Sequence, residues 1–162
     1  MTARFTRAGT PSDAVRIAAI YNQGIEDRVA TFETEPRTAE HILKWFTEGY
    51  PILVAGEGRD IHAYAVAFPY RSRPHYEGVR EFSVYVARDA RGKGFGKMAV
   101  SALIDEAKGR GWWKLLSRIF PQNTGSRKLC ASPGFREVGI YEKHGRLDGK
   151  WMDTVIVEKS LI

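Results

Sequence analysis

Ser83-Val84-Tyr85-Val86, followed by Ala87-Arg88-Asp89-Ala90-Arg91-Gly92-Lys93-Gly94-Phe95-Gly96-Lys97-Met98-Ala99-Val100, decides how the chain folds. The first four residues close a strand that begins near Arg80. Three glycines at alternate positions then give way to an apolar pattern at helical spacing: Phe95, Met98, Ala99, Ala102 and Leu103, running from about Gly94 to Lys108. A strand that delivers a glycine loop into a helix is an anion cradle. Glycine lets successive backbone N–H groups approach phosphate oxygens, and the helix N-terminus adds roughly half a positive charge. Arg91, Lys93 and Lys97 ring the cradle with cations.

Two familiar phosphate loops do not fit. A P-loop needs Gly, four residues, then Gly-Lys-Ser/Thr. Here Gly92 stands three residues before Gly96-Lys97, and Met98 occupies the hydroxyl position that would hold magnesium. A dinucleotide fingerprint can be laid on Gly94, Gly96 and Ala99, but it requires an acidic residue at the end of the next strand. That strand, Trp113 to Ile119, ends without one.

Outward from the loop, the remaining elements follow from periodicity and punctuation. Upstream lie a short strand at Arg4–Arg7 and a helix capped by Ser12 or Asp13, with Val15, Ile17, Ala18, Ile20 and Tyr21 as its apolar positions. A second helix is predicted from Thr38, with His41 bracketing the cap, to about Glu48, before Gly49-Tyr50-Pro51. Ile52–Ala55 and Ile61–Phe68, joined by a Gly-Arg-Asp turn, read as a hairpin. Downstream, Gly109 and Gly111 end the long helix. Gly125 to Ser132 is a short helix, and Phe135–Glu142 with Trp151–Glu158 form a closing hairpin. Strands and helices mix without strict alternation, so the class is α+β, a mixed α/β domain.

The chain has 162 residues, enough for one domain that buries a core without a disulfide or a metal, and it shows no repeat or linker. Cys130 is the only cysteine and the four histidines have no metal-ligand spacing, so neither a disulfide nor a metal site is expected. No apolar stretch approaches the ~20 residues of a membrane span and the first residues lack a signal's apolar segment, so a cytoplasmic address is expected. Lys and Arg number 25 against 19 Asp and Glu, a surplus that suits nucleic acid, an anionic cofactor or an anionic substrate. A nucleic-acid domain would show a basic stripe with interleaved aromatics, and none is present; no nucleic-acid partner is expected.

The chain resembles the GNAT superfamily, whose acetyl-CoA loop reads Arg/Gln-x-x-Gly-x-Gly/Ala, met by Arg91, Gly94 and Gly96. Within it the chain is similar to the phosphinothricin N-acetyltransferases and the related group that acetylates arsinothricin and methionine sulfoximine. The resemblance runs over nearly the whole length, through Ile20-Tyr21-Asn22, Ala30-Thr31-Phe32-Glu33, Tyr70-Arg71-Ser72-Arg73, Glu81 to Val86, Asn123-Thr124-Gly125-Ser126 and Gly149-Lys150-Trp151-Met152-Asp153. It departs at Cys130, where the family usually has His or Tyr, and at Pro133.

That resemblance implies a mostly antiparallel, twisted sheet of six to seven strands flanked by about four helices, acetyl-CoA as co-substrate, and direct transfer to the amine of a small amino-acid-like acceptor, in a homodimer. It implies Glu81 as general base, directly or through water. It also implies that Val84 and Val86 pair with pantetheine and turn a backbone N–H toward the thioester oxygen. Cofactor contacts are implied for the loop residues Arg91, Gly92, Lys93, Gly94, Phe95, Gly96 and Lys97, and for Asn123 and Ser126, with Arg127 as a further candidate. Asn123 is also a good helix cap, and Cys130 reads as a packed small apolar residue. With Cys130 a poor acid, the leaving thiolate takes its proton from Tyr85, Tyr141 or solvent. Phe32, Arg71, Arg73 and Tyr76 are the acceptor candidates, the arginines because a guanidinium pair can clamp an anionic head. A protein N-terminus, a lysine or a polyamine stays open as another acceptor.

Overall fold

A computed structural model describes residues 2–162. The strands are β1 (Arg4–Ala8), β2 (Ile52–Glu57), β3 (Asp60–Pro69), β4 (Val79–Val86), β5 (Lys114–Ile119), β6 (Arg136–Leu147) and β7 (Lys150–Ser160). The helices are α1 (Ala14–Asp27), α2 (Ala39–Thr47), α3 (Phe95–Gly109) and α4 (Thr124–Ala131). One seven-stranded sheet runs in the order β1-β2-β3-β4-β5-β7-β6, antiparallel except between β4 and β5. The mixed, mostly antiparallel architecture expected from the sequence is the one observed.

The β4–β5 pair positions the site. Its parallel ladder covers only Val79–Glu81 against Lys114–Leu116. Beyond it the strands are not paired, and the Ser117 hydroxyl donates to the Phe82 carbonyl at 2.8 Å, satisfying the first acceptor that the ladder leaves. The parallel direction requires a crossover, and α3 supplies it.

Alternation sorts the two faces of the sheet. Tyr64, Phe68 and Tyr85 meet α1 and α2: the Trp45 ring lies 5.2 Å from Phe68 and 6.3 Å from Tyr64. Phe82 points the other way, to Phe135 at 5.0 Å. His62 departs from the alternation because Ala55 and Gly56 pair with Ala63 and Ile61, leaving His62 as the extra residue of a bulge. Its ring turns onto Phe95, 4.8 Å away at the start of α3.

Two details differ from the sequence reading. Val15 is 72% exposed; the buried stripe of α1 is Ala14, Ile17, Ala18, Tyr21, Gly24 and Ile25, together with Ile20. The closing hairpin extends to Leu147 and begins again at Lys150, because Asp148 and Gly149 adopt the positive φ of a two-residue turn. No helix is long and apolar enough to cross a membrane among the described residues.

The entry to α1 is held by charge. Asp13 accepts both arms of the Arg7 guanidinium, at 2.7 and 3.0 Å, and the Thr10 N–H at 2.8 Å. The Arg7 hydrogen bond, above all, holds the Asp13 carboxyl below its ordinary value of 3.8. A depressed carboxyl contributes its stability above that ordinary value and loses it as pH falls through the lower, folded one. Asp13→Asn is expected to cost about 1–2 kcal/mol at neutral pH. The cost should shrink as pH falls below the ordinary carboxylate range and through the lower folded value, which denaturant titrations at neutral and acid pH measure.

Candidate active site

Two concavities meet across β4. The first is the wedge opened where β4 and β5 part, lined by Ala30, Phe82 to Tyr85, Ser117 to Phe120, Asn123, Ser126 and Cys130. The second lies under the α1–α2 connection and is lined by Tyr21, Thr31, Glu33, Arg37, Trp45, Phe68, Ser83 and Tyr85. Ser83 and Tyr85 belong to both. Whatever occupies the two concavities meets at these residues.

Tyr85 is locked by its neighbours. Its ring stacks on Tyr64 at 5.6 Å and meets the edge of Tyr21 at 4.9 Å. Gly24 permits this approach, since a Cβ there would lie 3.0 Å from the Tyr85 ring. Burial pushes the Tyr85 hydroxyl well above its usual range, so it stays protonated at neutral pH. Burial likewise pushes the Cys130 thiol to about 12. With a relative exposure of 1%, Cys130 is a packed residue.

The glycine loop leaves the end of β4. Gly92 and Gly94 have φ of 76° and 92°, a region in which L side chains are strained. Gly94 is the N-cap of α3 and offers no side chain to its first turn, so the orphan N–H groups there remain available to an anion. Lys93 and Lys97 are exposed and make no ion pair among the described residues. The side positions of the other loop residues are taken up by contacts within the protein. Arg91 is tied to Asp27 at 2.8 Å, fixing the loop to the end of α1. The Phe95 side chain is buried under Arg4, 4.4 Å above its ring, so only its backbone can face a ligand. Gly96 is a packing glycine: a Cβ there would stand 2.4 Å from a Leu129 methyl and 2.9 Å from a Val86 methyl.

Val84 and Val86 lie on the part of β4 that has lost its β5 partner. Asn123 caps α4, accepting from the Ser126 N–H at 3.1 Å, and its amide also donates to the Val29 carbonyl at 3.1 Å. It therefore ties the wedge's floor to its roof. Arg127 is occupied by Glu137, at 2.7 and 2.8 Å. Glu81 is half-buried, 3.4 Å from Arg118, on the same face as Ser83 and Tyr85.

The acceptor candidates scatter. Phe32 meets the edge of Phe120 at 4.9 Å and packs against Gly145 of β6, closing the wedge. Arg71, Arg73 and Tyr76 do not join Tyr85 in either concavity. They line a separate hollow with Tyr70, Glu77 and Arg80, because their loop leaves at the start of β4 and the glycine loop at its end. Tyr141 is exposed on β6 beside His144. Sequence reasoning missed Arg37 and Trp45, whose contacts come from elements far apart in the chain. Thr31 and Glu33 were visible only as part of the resemblance.

Comparison with known proteins identifies the family. Residues 17–135 match the Acetyltransferase (GNAT) family. A phosphinothricin N-acetyltransferase of Streptomyces coelicolor is 33% identical, over 96% of this chain and 95% of its own. An L-methionine sulfoximine/L-methionine sulfone acetyltransferase of Pseudomonas paraeruginosa is 32% identical, over 99% and 96%. A Salmonella typhimurium acetyltransferase, solved with its cofactor acetyl-CoA, superposes with a TM-score of 0.93 at 30% identity, covering 99% of this chain and 95% of the other. A sheet that opens between β4 and β5, with a bare glycine loop at the end of the opened strand, belongs to a chain of the GNAT acetyltransferase family.

Proposed function

We propose that this protein transfers the acetyl group of acetyl-CoA to the α-amine of a small amino-acid-like acceptor of the phosphinothricin or methionine sulfoximine type. The observation that carries the reading is the meeting of the two concavities at Ser83 and Tyr85. One admits an extended arm along an unpaired strand edge, and the other admits a compact polar molecule.

Acetyl-CoA supplies an activated acyl group as a thioester. The backbone N–H groups from Gly92 to Lys97 hold its phosphates, with Lys93 and Lys97 adding charge. The free edge at Val84 and Val86 pairs with the pantetheine amides, and a β4 N–H stabilises negative charge on the thioester oxygen. Asn123 and Ser126 hold the arm from the α4 side. Glu81 accepts the proton that an α-ammonium must lose before its nitrogen can attack. Successive same-face residues of a strand lie about 6.8 Å apart, so Glu81 stands one such step from Ser83 and reaches an amine beside Ser83 through water. As the C–N bond forms and the C–S bond breaks, the thiolate takes a proton. Tyr85 at the junction relays it: its hydroxyl gives its proton to the sulfur as it takes the second proton from the nitrogen of the forming amide, so no tyrosinate is left.

The test is thiol release with phosphinothricin, methionine sulfoximine, glutamate, spermidine and a peptide with a free N-terminus. The amino-acid analogues are expected to give the highest kcat/KM. Preference for spermidine or the peptide overturns the acceptor class.

The protein is proposed to act as a homodimer. β6 is exposed along nearly its whole length, and Val138, Ile140, Tyr141 and Trp151 stand out from the hairpin at 46–55% exposure. A second copy covers them. Sedimentation should give twice the 18.3 kDa chain mass, falling to one chain in the double variant Ile140→Asp with Trp151→Glu.

A further inference from the structure

The acceptor concavity contains a guanidinium that is built in place. Arg37 is clamped at its backbone by the Asn22 side chain, which accepts from the Arg37 N–H at 2.8 Å and donates to its carbonyl at 2.9 Å. Asn22 sits within α1, so the backbone of Arg37 is anchored to that helix before its side chain begins. The side chain then passes between two rings: its guanidinium carbon lies 4.7 Å from the Tyr21 centroid and 5.5 Å from that of Trp45. Stacking of this kind orients the planar fork and leaves its N–H edges free.

Those edges are poorly used within the protein. Glu33 is the only carboxylate paired with Arg37 among the described residues, at 3.8 Å, beyond hydrogen-bond reach, and its side chain is 56% exposed. An exposed pair this loose contributes little. The guanidinium makes no hydrogen bond to any described residue. Yet it lines the same concavity as Ser83 and Tyr85, and its charge is felt at the Tyr85 hydroxyl. A fixed, stacked, half-buried fork facing a small cavity suits a planar anion with two oxygens.

We propose that Arg37 is the residue that selects acceptors by their α-carboxylate, binding it bidentately while the α-amine points across Ser83 and Tyr85 toward the wedge. This rests on the acetyl-transfer reading above and deepens it. It assigns the carboxylate to Arg37, where the sequence suggested Arg71 and Arg73. Thr31 and Glu33 line the same concavity, Glu33 beside Arg37, and are available to the acceptor's ammonium or side-chain head.

Methionine sulfoximine tests this cleanly, since its only anionic group is the α-carboxylate. In Arg37→Gln, KM for methionine sulfoximine should rise about 10- to 100-fold, the range for losing a charge-assisted contact, with kcat changing much less. Arg37→Lys should recover part of the loss, because a point charge replaces the fork. The carboxamide of methionine sulfoximine should be a poor acceptor for the wild type and no poorer for Arg37→Gln. Calorimetric acetyl-CoA affinity should be equal in all three proteins. An unchanged KM for the free acid, or an equal rise for acid and amide, overturns the carboxylate assignment. A wild type that acetylates no amino acid at all overturns instead the acceptor class itself, so the two failures are distinguishable.

Discussion

Glu81→Gln should lower kcat by about 10²–10⁴-fold, the usual contribution of a positioned general base, while acetyl-CoA affinity stays within a factor of about two. The substitution keeps the shape of the side chain and an oxygen that can accept from Arg118, 3.4 Å away in the wild type. The strand register, Glu81 opposite Phe68 and Leu116, is set by backbone pairing and should not change. What is lost is the capacity to take a proton from the acceptor's ammonium. The effect should therefore appear in kcat and kcat/KM together, with little change in KM. Raising the pH, so that more acceptor arrives as free amine, should recover part of the rate in Glu81→Gln and much less in the wild type. Turnover near the wild-type level at neutral pH would move the base's role to solvent or to Glu33, a carboxylate that lines the second concavity.

Much of this architecture was legible in the chain because its signals are local. A glycine triplet after Ser83-Val84-Tyr85-Val86 announces a strand, a cradle and a helix within eighteen consecutive residues. The Thr38–His41 cap and the Asn123 cap were also readable, since capping depends on residues three apart. The acceptor concavity was not legible, for a physical reason. Arg37 owes its role to Asn22, Tyr21 and Trp45, which only the packing of α1 against α2 brings together. Arg71 and Arg73 lie near Glu81 along the chain, yet the hollow they line is distinct from the junction at Tyr85, a separation that sequence distance alone does not reveal. Val15 fitted a helical period and is exposed, because period alone gives the stripe and not its edges.

The loop glycines are expected to divide into two kinds when each is replaced by valine. Gly94→Val should weaken acetyl-CoA binding by about 100-fold or more. At φ 92° a β-branched residue is strained, and relief of the strain re-aims the first N–H groups of α3, each worth a charge-assisted hydrogen bond. A Cβ at Gly94 meets only the tip of Arg4, at 3.6 Å, so the interior is untouched and the domain should stay folded. Gly96→Val should fail in another way. Its side chain runs into Leu129 of α4 and Val86 of β4, and overpacking of that kind costs about 1–3 kcal/mol. The loss there should be read first in thermal stability. Gly49→Val separates strain from site: its φ is 77°, its surroundings are open, and it lies at the end of α2, away from the loop. It should lose stability to a similar degree as Gly94→Val and bind acetyl-CoA as the wild type does. Calorimetric titration beside thermal melts of the three variants decides the matter. If Gly94→Val binds with unchanged affinity while folded, the phosphates are held elsewhere, and Lys93 and Lys97 would have to act without the backbone cradle.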